Sequence, residues 1–324
     1  AGSRGFVGDH YRDGLCDYPD HDRNLRAVSG VGASGGFEVP QVQLPAAAPI
    51  PGAGPEAAPA ADNEPVVIFE NVSIGFGRDP VLEDVSFQIH RGETRILLGV
   101  AGVGKSVLLK LSNGLLRPDS GKIIVFGQEI SAMREEDLFE LRGAIGTVFQ
   151  EGALFDSLTV RDNVGYRLLE EHLPEDEITR RVTEALRFVE LEHTLEKFPS
   201  QLSGGMRRRV AIARAIVTNP KLILYDSPTG GLDPITSTTI IELVMKQRDV
   251  THTSSLVVTH RLQDAFMLAT HRYSKEKSAM LPLPEHQTDP NTTFMMLNRA
   301  HLIFDGTTKE LVESKDPFIQ EYLS

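Results

Sequence analysis

Residues Gly99 to Ser106 read GVAGVGKS, a G-x-x-x-x-G-K-S spacing. Glycines at this spacing let backbone N–H groups turn inward and cradle phosphate oxygens. Lys105 follows them with a positive charge for β- and γ-phosphates, and the Ser106 hydroxyl suits a Mg²⁺ ion. The set Gly99, Val100, Ala101, Gly102, Val103, Gly104, Lys105 and Ser106 is therefore a candidate nucleotide-phosphate loop. A second group stands downstream at Asp226, the last residue of the apolar run LILYD. A carboxylate closing a buried strand is where such a loop finds its Mg²⁺ partner.

These groups need strands and helices to hold them. TRILLGV, 94–100, is short and apolar, as a buried central strand is. A helical pattern follows at Lys105–Leu116, so its N-terminal dipole faces the phosphates. Leu222–Tyr225 and Ser255–Thr259 read as two more buried strands. VVIFENVSIGF and VSFQIH read as strands separated by GRDP turn chemistry. Glu135–Leu141 and Glu175–Glu190 read as helices; in the second, Ile178, Val182, Leu186 and Val189 recur at spacings of three and four. Strands alternating with helices predict an α/β fold with a largely parallel core sheet. The polar segment 271–293 predicts a surface hairpin or loop insertion. A strand at FMML, a strand and turn at HLIFDG, and a short helix near Thr308–Ser314 close the pattern.

The bulk properties narrow the function. With 324 residues, 40% of them hydrophobic, the chain has ample material for a packed core. A formal charge of -12 argues against a protein held to nucleic acid by phosphate contacts. Residues 1–64 carry four arginines against nine acidic residues and include PAAAPIPGAGPEAAPAA, which predicts a disordered Pro/Ala/Gly-rich tail. Their start lacks the basic patch and apolar core of a signal peptide. The single cysteine, Cys16, excludes an internal disulfide framework and a cysteine-built zinc site, and makes the cytosol the default compartment. No run approaches the ~18 apolar residues that cross a bilayer, so work at a membrane requires another chain to span it.

Between the loop and Asp226 lies QLSGGMRRR. Here the sequence resembles an ATP-binding-cassette (ABC) ATPase, with Leu202, Ser203, Gly204 and Gly205 matching that family's LSGG signature. Ser203 and the glycine amides of Gly204 and Gly205 can form a second anion site at a helix N-terminus. In the family this site meets the γ-phosphate held by the opposite subunit, which implies a head-to-tail dimer with ATP between the subunits. Other elements appear in the family's order. Phe76 in GFGRDPVL matches the aromatic placed against adenine, although a strand-end core role fits that residue nearly as well. Gln150 in VFQ matches the Q-loop glutamine beside Mg²⁺, Asp233 in GGLDP the D-loop aspartate, and His260 in LVVTH the switch histidine. Arg207, Arg208 and Arg209 read as an exposed or capping cationic turn. The resemblance implies a P-loop NTPase core sheet with an antiparallel β subdomain and a helical subdomain. It covers residues 65–324, the helical part at about 151–205.

One position departs from the family. A glutamate there follows the Mg²⁺-binding aspartate and polarises the attacking water; here that residue is Ser227. A serine hydroxyl cannot act as this base, and losing a general base typically costs ~10²–10⁴-fold in rate. Normal ATP and Mg²⁺ binding with slow hydrolysis is expected. Three explanations stay open: a competent partner cassette, another base such as His260 or Asp233, or a variant residue.

FQEGALFDSLTVRDNV, KFPSQLSGGM and GLDPITS are similar to the ATPases of Mla/Mce-type lipid transporters. That resemblance implies ATP-driven movement of phospholipid. It implies a second cassette, an integral membrane permease and an Mce-domain lipid-binding protein as partners, on the inner face of the cytoplasmic membrane. Leu154, Phe155 and Leu158 are candidates for the groove facing the permease, or for internal packing. Two other readings stay open: a cassette that binds ATP without turnover, and a soluble non-transport cassette such as an iron–sulfur assembly ATPase.

Overall fold

The structure, a computed structural model, describes residues 64–324. The expected tail, 1–64, lies outside the described residues apart from its last position. In chain order the first elements are β1 (Pro65–Phe76), β2 (Asp79–His90), β3 (Thr94–Leu98), α1 (Lys105–Ser112), β4 (Ser120–Val125), β5 (Gln128–Glu129), α2 (Glu135–Gly143) and β6 (Ile145–Val148). Next come α3 (Val160–Glu170), α4 (Glu175–Phe188), α5 (Gly204–Ile216), β7 (Leu222–Asp226), α6 (Pro234–Thr251), β8 (Ser254–Val258) and α7 (Leu262–Thr270). The last are β9 (His271–Ser274), β10 (Ala279–Pro282), β11 (Thr292–Asn298), β12 (His301–Thr307), α8 (Thr308–Val312) and α9 (Pro317–Leu323).

The core sheet runs β12-β11-β3-β8-β7-β6. Every neighbouring pair from β11 to β6 is parallel, and β12 closes the edge antiparallel. An antiparallel sheet, β2-β1-β4-β5, covers one side. β3 and β8 are buried along their whole length, so their apolar runs lack the alternation of a half-exposed strand. Their successive side chains still point to opposite faces and feed two cores. Ile96, Leu98, Ile223, Tyr225 and Val257 join the helices α3 to α7. Leu97, Leu222, Leu224, Leu256 and Val258 join β1, β2, β4 and α1. Both faces are thus covered, and the strand ends carry the functional loops.

The 271–293 segment forms the hairpin β9–β10, with Ala279 opposite Ser274. Of the two expected forms, surface hairpin or loop insertion, the hairpin is the one present, and it is tied down. The buried Arg248 of α6 donates to the carbonyls of Leu268 and His271 and pairs with Asp289, 3.2 Å away. Glu242 of α6 accepts the Met280 N–H at 3.0 Å. The chain also ends on α9, a helix that the sequence pattern did not suggest.

Candidate nucleotide site

β3 delivers the chain into the glycine loop, and two glycines there are sterically required. Gly99 is buried with φ +150°, and a Cβ would lie 2.9 Å from the Leu297 carbonyl oxygen. Gly104, the N-cap of α1, has φ +107°, and its Cβ would sit 3.0 Å from Val81 O. α1 then starts at Lys105. The Lys105 Nζ folds back and donates to Gly99 O and Val100 O, both at 2.7 Å. Burial lowers the Lys105 pKa below its ordinary 10.5, and the Asp226 carboxylate opposes that shift. Lys105 and Asp226 therefore face one site, as their spacing in the sequence predicts.

Asp226 ends β7, and Ser227 follows in the left-handed region at φ +46°. The Ser227 backbone is held on both sides. Its N–H donates to Val258 O at 2.9 Å, and its carbonyl accepts the Gly230 N–H at 2.9 Å. Its hydroxyl lies 3.4 Å from Asp226 Oδ1, and the residue is only 7% exposed. Gln150 closes on the same loop: a Cβ at Gly230 would come within 3.3 Å of Gln150 Nε2. Among the described residues no three His, Cys, Asp or Glu side chains are grouped to hold a metal ion. One carboxylate, Asp226, with the Ser106 hydroxyl suits Mg²⁺, which keeps water and phosphate as most of its ligands.

Ser203 caps α5, its hydroxyl accepting the Met206 N–H at 3.2 Å. Asp233 caps α6, accepting from the Thr236 N–H at 3.0 Å and from the Thr236 hydroxyl at 2.5 Å. Those bonds hold the Asp233 carboxyl below its usual range. A Cβ on Gly205 would fall 2.5 Å from Thr236 Cγ2, so the two caps are packed together. His260 is exposed two residues beyond β8. Phe76 ends β1 with 54% of its surface exposed, which removes the core-packing alternative for that ring.

The arginine run needs correction. Arg207, Arg208 and Arg209 lie within α5, not in an exposed turn. Arg208 is buried and donates to Ser227 O (3.3 Å), Gly230 O (3.2 Å) and Phe149 O (3.4 Å). Helical periodicity carried this signal: Arg208, Ala211, Ile212 and Ala215 share the buried face. Two further contacts had no sequence signal. Thr229 is hydrogen-bonded to the buried Asp264, and Tyr322 of α9 reaches Gly99.

Comparison with known proteins matches the ABC transporter family pattern over residues 82–230. The chain is 36% identical to the Arabidopsis thaliana protein TRIGALACTOSYLDIACYLGLYCEROL 3, covering 81% of this chain and 74% of that one. It is also 36% identical to a probable ribonucleotide transport ATP-binding protein, mkl, of Mycobacterium leprae, over 77% of this chain and 66% of that one. It is 31% identical to the Haemophilus influenzae intermembrane phospholipid transport system ATP-binding protein MlaF, over 81% and 91%. A dimeric ATP-binding cassette solved in a post-hydrolysis state with ADP and Pi superposes with a TM-score of 0.62 at 28% identity, over 74% and 98%. A glycine cradle around Lys105, a capped LSGG helix and these likenesses agree: the chain belongs to the ABC transporter family, as an ABC-type ATPase on the P-loop NTPase fold.

Proposed function

We propose that this cassette binds Mg²⁺–ATP at Gly99–Ser106 and hydrolyses it slowly within a head-to-tail dimer that powers lipid transport. The convergence of Lys105, Asp226, Ser227 and Gln150 on one loop carries the reading. Ser106 and Asp226 would hold Mg²⁺, which would add its charge to that of Lys105 in neutralising the phosphates. Gln150 orients water, and His260 bonds the γ-phosphate. Phe76 stacks on adenine. Ser203, Gly204, Gly205 and Asp233 serve the ATP held by the opposite subunit. Ser227 supplies no general base, so orientation and charge remain as the sources of catalysis.

A membrane permease is the second partner. No helix among the described residues is long and apolar enough to cross a membrane. Phe155, 45% exposed, lies 4.9 Å from the exposed Tyr166 ring, an aromatic pair suited to a permease segment. Leu154 instead packs against the larger core. Phospholipid is the favoured cargo because the MlaF likeness extends over 91% of that protein. An Mce-domain partner and a position on the inner membrane face follow from the same likeness. Ser227 favours a second reading, an ATP-dependent dimeriser with no turnover. Phosphate release by the chain alone and with its permease in phospholipid vesicles tests both. Turnover stimulated by the permease and accompanied by lipid movement supports the first; ATP-dependent dimers without phosphate release support the second.

A further inference from the structure

One carbonyl at the start of the phosphate loop receives two donors. Gly99 is buried, and its carbonyl accepts the Lys105 ammonium at 2.7 Å. Tyr322 brings its hydroxyl to the same residue. The Gly99 N–H donates to Tyr322 Oη at 3.3 Å, and that hydroxyl donates to Gly99 O at 3.4 Å.

The ring is held firmly enough to matter. Asp316 caps α9, accepting the N–H groups of Phe318 and Ile319, and Pro317 sets the first helical position. Ile319 is buried, and Phe318, Tyr322 and Leu323 pack on the larger core. The Phe318 and Tyr322 rings stack at 6.3 Å. Burial raises the Tyr322 pKa, so its hydroxyl keeps its proton at neutral pH.

If the loop holds ATP, the reading on which this inference rests, Lys105 turns from the Gly99 and Val100 carbonyls toward the phosphates. A buried carbonyl stripped of its donor is costly. Gly99 keeps one only because the Tyr322 hydroxyl is already there. We propose that Tyr322 is a positioning residue for nucleotide binding: its hydroxyl supplies the donor of the Gly99 carbonyl when Lys105 moves to phosphate. Helix α9 thereby sets the affinity of a loop more than two hundred residues earlier.

Tyr322→Phe keeps the ring and its packing and removes only the hydroxyl. Calorimetric titration of the full chain with ATP and Mg²⁺ compares four proteins: parent, Tyr322→Phe, Lys105→Met and the double variant. Thermal melting without nucleotide accompanies each. Loss of one neutral hydrogen bond predicts ATP binding about five-fold weaker in Tyr322→Phe, with the melting temperature within about 4 °C of the parent. In the Lys105→Met background the substitution adds nothing, because no ammonium leaves Gly99 on binding. Unchanged affinity in Tyr322→Phe, or equal losses in both backgrounds, overturns the proposal. A parent chain that binds no ATP overturns the nucleotide reading itself.

Discussion

The Arg208 guanidinium donates to the Ser227 carbonyl at 3.3 Å and joins the signature helix α5 to the residue beside the Asp226 carboxylate. The same guanidinium reaches Gly230 O and Phe149 O, so one buried cation ties two stretches of backbone together at the site. Burial lowers its pKa, yet an arginine remains charged. Arg208→Met is expected to cost about 3 kcal/mol of folding stability, because buried carbonyls lose a charged donor. Urea denaturation with nucleotide absent measures it, and a loss below about 0.5 kcal/mol would place those bonds among the solvent-compensated ones.

Ser227→Glu restores a carboxylate next to Asp226. Hydrolysis is expected to rise by ~10²-fold or more, with ATP affinity changed little. Steady-state phosphate release by the two proteins is the measurement. Equal rates would show that the missing base is immaterial.

Gly205→Ala drives a methyl into Thr236, whose Cγ2 lies 2.5 Å from the new Cβ position. Thr236 cannot simply rotate away, because its hydroxyl is held by Asp233. The substitution should cost about 1–3 kcal/mol and weaken ATP-dependent dimerisation. Thr236→Ser removes the offending methyl and keeps the hydroxyl, so it should recover much of the loss in a double-mutant cycle. Additive effects would mean that the two helix caps do not touch.

Lys105 makes stability pH-dependent. Its folded pKa lies below the ordinary 10.5. Between those two values the unfolded chain holds a proton that the folded chain has released, so stability increases with pH across that window. Below the window the ammonium is charged in both states and its burial counts fully against folding. Lys246 shifts in the same direction, so the effect is read as the difference between the parent and Lys105→Met. Saturating ATP should flatten it, because phosphate keeps the ammonium charged. Denaturant midpoints from pH 7 to 10.5 decide the matter.

Phe76→Ala should weaken ATP binding about ten-fold, the usual worth of base–aromatic stacking. Its ring is half exposed, so the melting temperature should hardly move. Affinity that stays within two-fold of the parent would remove adenine stacking from its role.

Much of the site was legible in the linear order of residues. GVAGVGKS, LILYD and LSGG are short, and their chemistry is carried by backbone conformation and by what lies one or two residues away. Short apolar runs, β-branched content and helical spacing placed the strands and helices around them for the same reason: all report local geometry. The elements that escaped are those defined by distant contacts. Arg208 read as part of an exposed or capping cationic turn until α5 packed it under the Asp226–Gly230 loop. The hairpin β9–β10 was one of two forms the sequence allowed for its segment, but its anchor, Arg248, lies on another element and left no signal there.

The identity of the nucleotide loop and the absence of a glutamate after Asp226 were decided by sequence, since both are properties of adjacent residues. Which groups serve those residues from afar was decided by folding. Asp264 bonds Thr229 across 35 positions, and Tyr322 meets Gly99 across 223. No periodicity links such pairs. They become neighbours because the central strands β3, β7 and β8 bury both faces, and helices distant in sequence must pack where those strands deliver their loops.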